Sequence, residues 1–229
     1  MKKTILLLLI IAAAFNINNA FAQTGLVHTV AGGGTSLTDG VPATAAILNY
    51  AYGITIDHSG NIYVSDESAN VVKKIDHLTG FINTVAGTGT AGYGADGIPA
   101  ISSPLNTVRG LCIDNNDNLY IADYHSGKIR KVDNVTGIIT TVATGNSRCV
   151  YVDQDGNIYS SDVYAHVNKT NPVTGAVTVV AGGGASTVDG MPATNASFGA
   201  TSVRNIAQDA HGNLYINDNP SGRIYKVNL

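Results

Sequence analysis

The chain has 229 residues, 44% hydrophobic and 13% charged, with 26 glycines, no tryptophan and a formal net charge of −3. That length suffices for one sizeable core, and a mildly acidic balance does not advertise nucleic-acid binding. Outside the N-terminus no segment approaches the roughly 20 apolar residues that a membrane-spanning helix needs.

In chain order, Lys2 and Lys3 precede an 11-residue apolar run over 5–15, a mostly polar stretch over 16–19, and Ala20-Phe21-Ala22. A charged start, a short apolar middle and an A-x-A site predict a secretory signal peptide over 1–22, cleaved after Ala22. Residues 23–229 are then one domain with a formal charge of −5 once Lys2 and Lys3 are removed. The signal has a bacterial look, so the predicted location is periplasmic or secreted. No cysteine follows the cleavage site to suggest a lipid anchor.

The rest of the chain repeats itself. "GNIYVSD" (60–66) recurs as "DNLYIAD" (117–123), "GNIYSSD" (156–162) and "GNLYIND" (212–218). Upstream of these lie "GITIDHS" (53–59), "GLCIDNN" (110–116), "CVYVDQD" (149–155) and "NIAQDAH" (205–211); downstream lie "VVKKID" (71–76), "KIRKVD" (128–133), "HVNKTN" (166–171) and "RIYKVN" (223–228). "TVAG" (29–32 and 84–87), "TVAT" (141–144) and "VVAG" (179–182) separate the repeats. Each repeat therefore holds four short segments rich in Val, Ile and Tyr, bounded by Gly, Asn and Asp, which is strand composition with turn punctuation. Asp57 with Gly60, Asp153 with Gly156 and Asp209 with Gly212 suit a bulged hairpin. Asp117 replaces the glycine in the second copy and is less at ease with positive φ.

In "NIYV" both strand faces carry residues that want cover, which favours sheets stacked on sheets. Radial stacking does this and leaves only short edges. The expected fold is all-β: a β-propeller of four-stranded antiparallel blades, four in this chain. The pattern G-[IL]-x-[IV]-D…G-N-[IL]-Y-[VI]-x-D…[VI]-x-K-[VI]-D resembles the NHL-repeat family of propellers, of bacterial secreted type. The inserts "TDGVPATAA" (38–46), "ADGIPAISS" (95–103) and "VDGMPATNA" (188–196) resemble those of bacterial members. They are expected on a face near the channel, with Pro42, Pro99 and Pro192 suited to the first turn of a short helix.

Family members more often have six blades. The last repeat here lacks a "TVAG" segment, while "LVHTVAG" (26–32) at the start is spare. Either that strand closes a four-blade ring, giving a monomer, or the blades are an arc of a larger propeller.

The Asp that ends each second strand (Asp66, Asp123, Asp162, Asp218) recurs once per blade, so it reads as a structural acceptor for turn N–H groups. "DQDGN" (153–157) starts like a calcium loop, but the twelfth position falls on Tyr164. The six histidines occupy dissimilar repeat positions. Enzymes that the fold resembles, the amidating lyases and lactonases, place metal ligands around the channel. The inner strands here offer Thr55, Cys112, Tyr151 and Ala207, then Ile54, Leu111, Val150 and Ile206, without His or Glu. No metal, cofactor or catalytic residue is expected, and Cys112 and Cys149 are expected to be free thiols.

One column stands out. Tyr52, Arg109, Arg148 and Arg204 each enter an inner strand, placing three guanidiniums at one mouth of the channel, where they would repel unless an anion or carboxylates sat between them. The sequence thus points to an exported, non-catalytic module that binds an unknown protein, peptide or glycan, leaning away from an enzyme. The alternatives are a secreted lactonase- or lyase-type propeller enzyme and a structural fragment of a larger surface protein.

Overall fold

The computed structural model describes residues 26–199, 203–219 and 221–229. The expected signal peptide and its cleavage site lie outside the described residues. Almost everything described is strand or turn. The first blade runs β1 (Val41–Pro42), β2 (Ala51–Ile56), β3 (Ile62–Asp66), β4 (Val71–Ile75) and β5 (Phe81–Ala86). The second runs β6 (Ile98–Pro99), β7 (Val108–Ile113), β8 (Leu119–Asp123), β9 (Lys128–Val132) and β10 (Ile138–Thr144). The third has β11 (Val150–Val152), β12 (Ile158–Ser161), β13 (Val167–Thr170) and β14 (Val177–Ala181); the fourth has β15 (Val203–Gln208), β16 (Leu214–Asp218) and β17 (Arg223–Val227). All pairings between these strands are antiparallel, and each blade is a meander from its inner strand (β2, β7, β11, β15) outward. The protein is a four-blade β-propeller.

The hairpin of every blade is tied by one carboxylate. Asp57 Oδ1 accepts the Asn61 backbone N–H at 2.8 Å, and its Oδ2 accepts the Asn61 amide at 2.8 Å and the Tyr63 hydroxyl at 3.1 Å. The same clamp recurs at Asp114 with Asn118 and Tyr120, at Asp153 with Asn157 and Tyr159, and at Asp209 with Asn213 and Tyr215. A lysine from the third strand lies over each tyrosine ring: Lys74, Lys131, Lys169 and Lys226, with Nζ 5.4–5.9 Å from the centroid. One cluster thus accounts for the repeated Asp, Asn, Tyr and Lys. Gly60, Gly156 and Gly212 take φ of +83°, +81° and +85°, and Asp117 takes +60° in the same place. Asp117 has a compensating role: its Oδ1 accepts His58 N–H at 3.0 Å from the neighbouring blade.

The core lies between blades. Tyr63 and Val72 of blade 1 pack with Leu111 and Ile121 of blade 2; Tyr120 and Ile129 of blade 2 pack with Val150 and Val152 of blade 3; Tyr159 and Val167 of blade 3 pack with Ile206 and Ile216 of blade 4. Burying each such aliphatic side chain stabilises by about 1.5–3 kcal/mol. The inner strands approach closely: a Cβ on Gly110 would lie 2.6 Å from Cys149 Cα, and one on Gly53 would overlap the Arg109 carbonyl. Ser65 Oγ bridges the first pair of blades, accepting Gly53 N–H at 2.8 Å and donating to Arg109 O at 2.6 Å. Cys112 and Cys149 are free and buried, and burial pushes both thiols up to about 11.

The structure differs from expectation in two places. The D-G-x-P-A inserts do not all flank the channel: β1 pairs with β5 and β6 with β10, so these two cover the outer edges of their own blades. Covered edges resist unwanted strand pairing. Asp39 and Asp96 fix them there, bonding Lys73 Nζ at 2.8 Å and Arg130 Nη2 at 3.0 Å. The 3₁₀ turns Ala43–Ala45, Ala100–Ser102 and Ala193–Asn195 follow the three prolines, each of which occupies the cap position before the turn. The spare "LVHTVAG" segment forms no strand, so the fourth sheet has three strands among the described residues.

Two consequences are measurable. Gly110→Ala forces apart the inner strands of blades 2 and 3 and is expected to cost about 1–3 kcal/mol in denaturant unfolding. Asp57 and Asp209 both titrate below the usual carboxylate range. Burial alone would raise Asp57, but its bonds from Asn61 and Tyr63 outweigh that; the Asn213 amide leads the forces that bring Asp209 to about 2. A depressed folded pKa stabilises above the unfolded value near 3.8 and loses that stabilisation as pH falls toward 2. On these two groups stability should hold from neutrality to about pH 4.5 and fall below it, the buried Asp123, whose carboxyl burial raises, opposing the fall; denaturant midpoints measured from about pH 7 to about pH 2 check this.

Candidate binding site at the channel mouth

The inner strand of each blade begins at one rim of the channel, and the residues there converge. Tyr52, Arg109, Arg148 and Arg204 line one recess of about 610 Å³, together with Glu67 and His125. Arg109 has a partner: its Nη2 and Nε donate to Glu67 Oε1 at 2.9 and 3.2 Å. Its guanidinium also lies 3.8 Å from the Tyr124 ring centroid and 5.5 Å from that of Tyr52. The Arg148 guanidinium lies 5.0 Å from the same Tyr124 centroid, and Arg204 Nη1 reaches the Tyr52 hydroxyl at 3.5 Å. Among the described residues Glu67 is the one carboxylate within salt-bridge distance of these three arginines. The recess therefore carries three cations against one anion, on a chain that is acidic as a whole.

Two nitrogen atoms at this site are buried without a hydrogen-bond partner among the described residues: Arg109 Nη1 and Arg148 Nε. A buried donor left unbonded costs about 1–3 kcal/mol, more when charged. Neither atom has surface open to solvent, so neither faces the recess as the site stands.

The backbone beside them is strained. Thr107, a β-branched residue, takes φ +63°, and Asn70 takes +56°. L-residues other than Gly, Asn and Asp seldom adopt such values, and they concentrate at functional sites. Asn70 Oδ1 holds Thr107 N–H at 2.7 Å, and Thr107 Oγ1 is hydrogen-bonded to His125 Nδ1 at 2.7 Å. Glu67, Asn70, Thr107 and Tyr124 were not singled out by sequence reasoning, and His125 was weighed there only as a metal ligand; Glu67 and Tyr124 share one repeat position with unlike side chains, and the group meets only in space.

The aspartates that end the second strands support this rim. Asp66 accepts N–H from Asn49, Tyr50 and Ala69 at 2.9–3.2 Å, and Asp123 accepts Asn106 N–H at 2.7 Å. They anchor the segments that lead to Tyr52 and Arg109. Asp162 departs from this pattern and binds Tyr164 N–H, His166 N–H and His166 Nδ1 within its own turn. Asp218 has no partner among the described residues, and the positions equivalent to Asn49 and Tyr50 lie outside them, at 201 and 202. "DQDGN" is the hairpin clamp of blade 3, with Asp153 turned onto Asn157. Among the described residues no three His, Cys, Asp or Glu side chains are gathered as metal ligands, and no helix is long and apolar enough to cross a membrane.

No family model matches the sequence. The chain is 33% identical over 117 residues to NHL repeat-containing protein 2 from Bos taurus, an alignment covering 50% of this chain and 16% of that protein. The curated relatives it matches are thus far longer: the alignments take in 9–16% of their length. Among solved structures, a Bacteroides thetaiotaomicron protein of unknown function superposes with a TM-score of 0.63 at 15% identity, over 87% of this chain and 46% of that one. Virginiamycin B lyase from Staphylococcus aureus gives a TM-score of 0.50 at 16% identity, over 79% and 56% of the two chains. At such identities the structural likeness establishes the fold. The chain is a β-propeller, and its repeat pattern and sequence relatives support a propeller of the NHL type.

Proposed function

We propose that this propeller is an exported, non-catalytic binding module that takes a carboxylate-bearing ligand, an acidic peptide or glycan, at the channel mouth. The observation that carries the reading is the excess of guanidinium over carboxylate in the recess. Arginine's planar fork grips carboxylates in pairs of hydrogen bonds, and Tyr52 and Tyr124 hold the guanidiniums in place by their ring faces. The strained Thr107 backbone presets the rim. Export rests on the composition of the first 22 residues and on nothing else.

A second reading, an enzyme of the lyase type, draws on the fold shared with virginiamycin B lyase. Fold alone does not transfer activity. A tightly held stoichiometric metal in the purified protein would favour this reading over the first.

Titration with acidic and neutral peptides and with uronic-acid and neutral oligosaccharides tests the binding reading. An acidic probe should bind, more weakly as salt rises. The double variant Arg109→Ala, Arg148→Ala should weaken that binding by about 10–100-fold, since hydrogen bonds to charged groups contribute roughly 1.5–3 kcal/mol each. Unchanged affinity in the double variant ends the proposal.

A further inference from the structure

Stacked blades bury both faces of a sheet only where a neighbour exists. On β2, Ile54 and Ile56 are 68% and 59% exposed, while the equivalent Leu111, Val150 and Ile206 are buried against the blade before them. On β17, Ile224 is 72% exposed, while the equivalent Val72, Ile129 and Val167 are buried. Tyr215 is likewise half open, although Tyr63, Tyr120 and Tyr159 are covered. Among the described residues no blade packs against the open face of blade 1 or of blade 4; the two meet only at the rim, where Arg204 reaches Tyr52. Among the described residues blade 4 is also a strand short: β17 is the edge of its sheet, whereas β4, β9 and β13 each pair with a fourth strand. An open strand edge is a template for another chain.

The chain carries the element that this edge lacks. "LVHTVAG" (26–32) matches "FINTVAG" (81–87) and "AVTVVAG" (176–182), which contain the outer strands β5 and β14. The glycine that follows each outer strand hands the chain to the next blade's insert: Gly87 N–H donates to Ala100 O at 3.0 Å, and Gly182 N–H to Ala193 O at 2.9 Å. Gly32 N–H donates to Ala43 O at 2.9 Å in the same way. Gly32 therefore occupies, on blade 1, the place of the outer-strand glycine of a blade that is not there. Leu26, Val27 and Val30 are exposed and in no strand.

We propose that a second copy of this chain is the missing neighbour. Two arcs join head to tail, blade 4 of each against blade 1 of the other, and each gives its 26–32 segment as the outer strand of the other's fourth blade. Between blades 1 and 2 the column that faces across the joint pairs Glu67 with Arg109; at the new joint the equivalent positions are Asn219 and Tyr52, both uncharged, so this column buries no charge there. The register of β5 on β4 sets Val72 opposite Ala86, Lys73 opposite Thr84 and Lys74 opposite Asn83. Transferred to the joint, it sets Ile224 opposite Ala31, Tyr225 opposite Thr29 and Lys226 opposite His28. A head-to-tail joint closes into a ring only when its rotation fits. Size is consistent with closure, since the arc matches about half of two solved structures it resembles, 46% and 56%.

The test uses the purified protein at about 50 µM, where a specific joint of this kind is populated. Light scattering should give the mass of two copies for the wild type and of one copy for Ile54→Asp and for Ile224→Asp, both at exposed positions that folding does not need. Mixing a His28→Cys chain with a Lys226→Cys chain and adding a short bismaleimide should yield a covalent product of two chains; the native thiols are buried and silent. A one-copy mass for the wild type, an open-ended series of higher masses, or crosslinking within a single chain that carries both new cysteines overturns the proposal.

Discussion

The structure depends on a carboxylate at the start of each hairpin. Asp57, Asp114, Asp153 and Asp209 each gather a backbone N–H, a side-chain amide and a phenol. These bonds fix the link between the first two strands of a blade, and with it the face that the tyrosine presents to the next blade. In the three joined blades that tyrosine is buried: Tyr63, Tyr120 and Tyr159. Sheet geometry, blade stacking and the channel follow in that order. The Asn61 carboxamide extends the hold to the third strand, its Oδ1 accepting His77 N–H at 3.1 Å; Asn118 does the same for Asn134 at 3.0 Å.

Recurrence therefore belongs to the scaffold, and individuality begins where the repeat is broken. Asp117 stands in a glycine's place and becomes the acceptor for His58. Arg130 is fully buried, its guanidinium spread over Gly94 O, Ala95 O and Asp96 Oδ1, so that an insert is fastened to its blade. At the rim the arginine column departs from tyrosine only after the first blade, and Glu67 answers one of the three cations. What the rim does not neutralise is available to a ligand.

The fold was legible because it is written four times. Period, turn residues and alternating faces all come from local sequence, and they suffice for strands, hairpins and stacked blades. The arginine column was legible for the same reason, being one position read across repeats. Thr107, His125 and Asn70 were not, since nothing local marks a threonine for positive φ; its conformation is imposed by Asn70 and His125 from other turns. The inserts were misplaced because their pairing with β5 and β10 joins segments about 40 residues apart, and a two-residue strand leaves no periodic trace. The spare N-terminal segment reads as a strand, but a strand needs an edge to pair with, and composition does not say which edge.

The claim that the repeated residues act as hairpin clamps is tested most directly by Asp114→Ala, in a blade with neighbours on both sides. Truncation leaves the Asn118 amide and the Tyr120 hydroxyl without their acceptor, and the account predicts a loss of about 2–4 kcal/mol in equilibrium unfolding. A variant as stable as the parent would show that the recurring carboxylate does not hold the blade together.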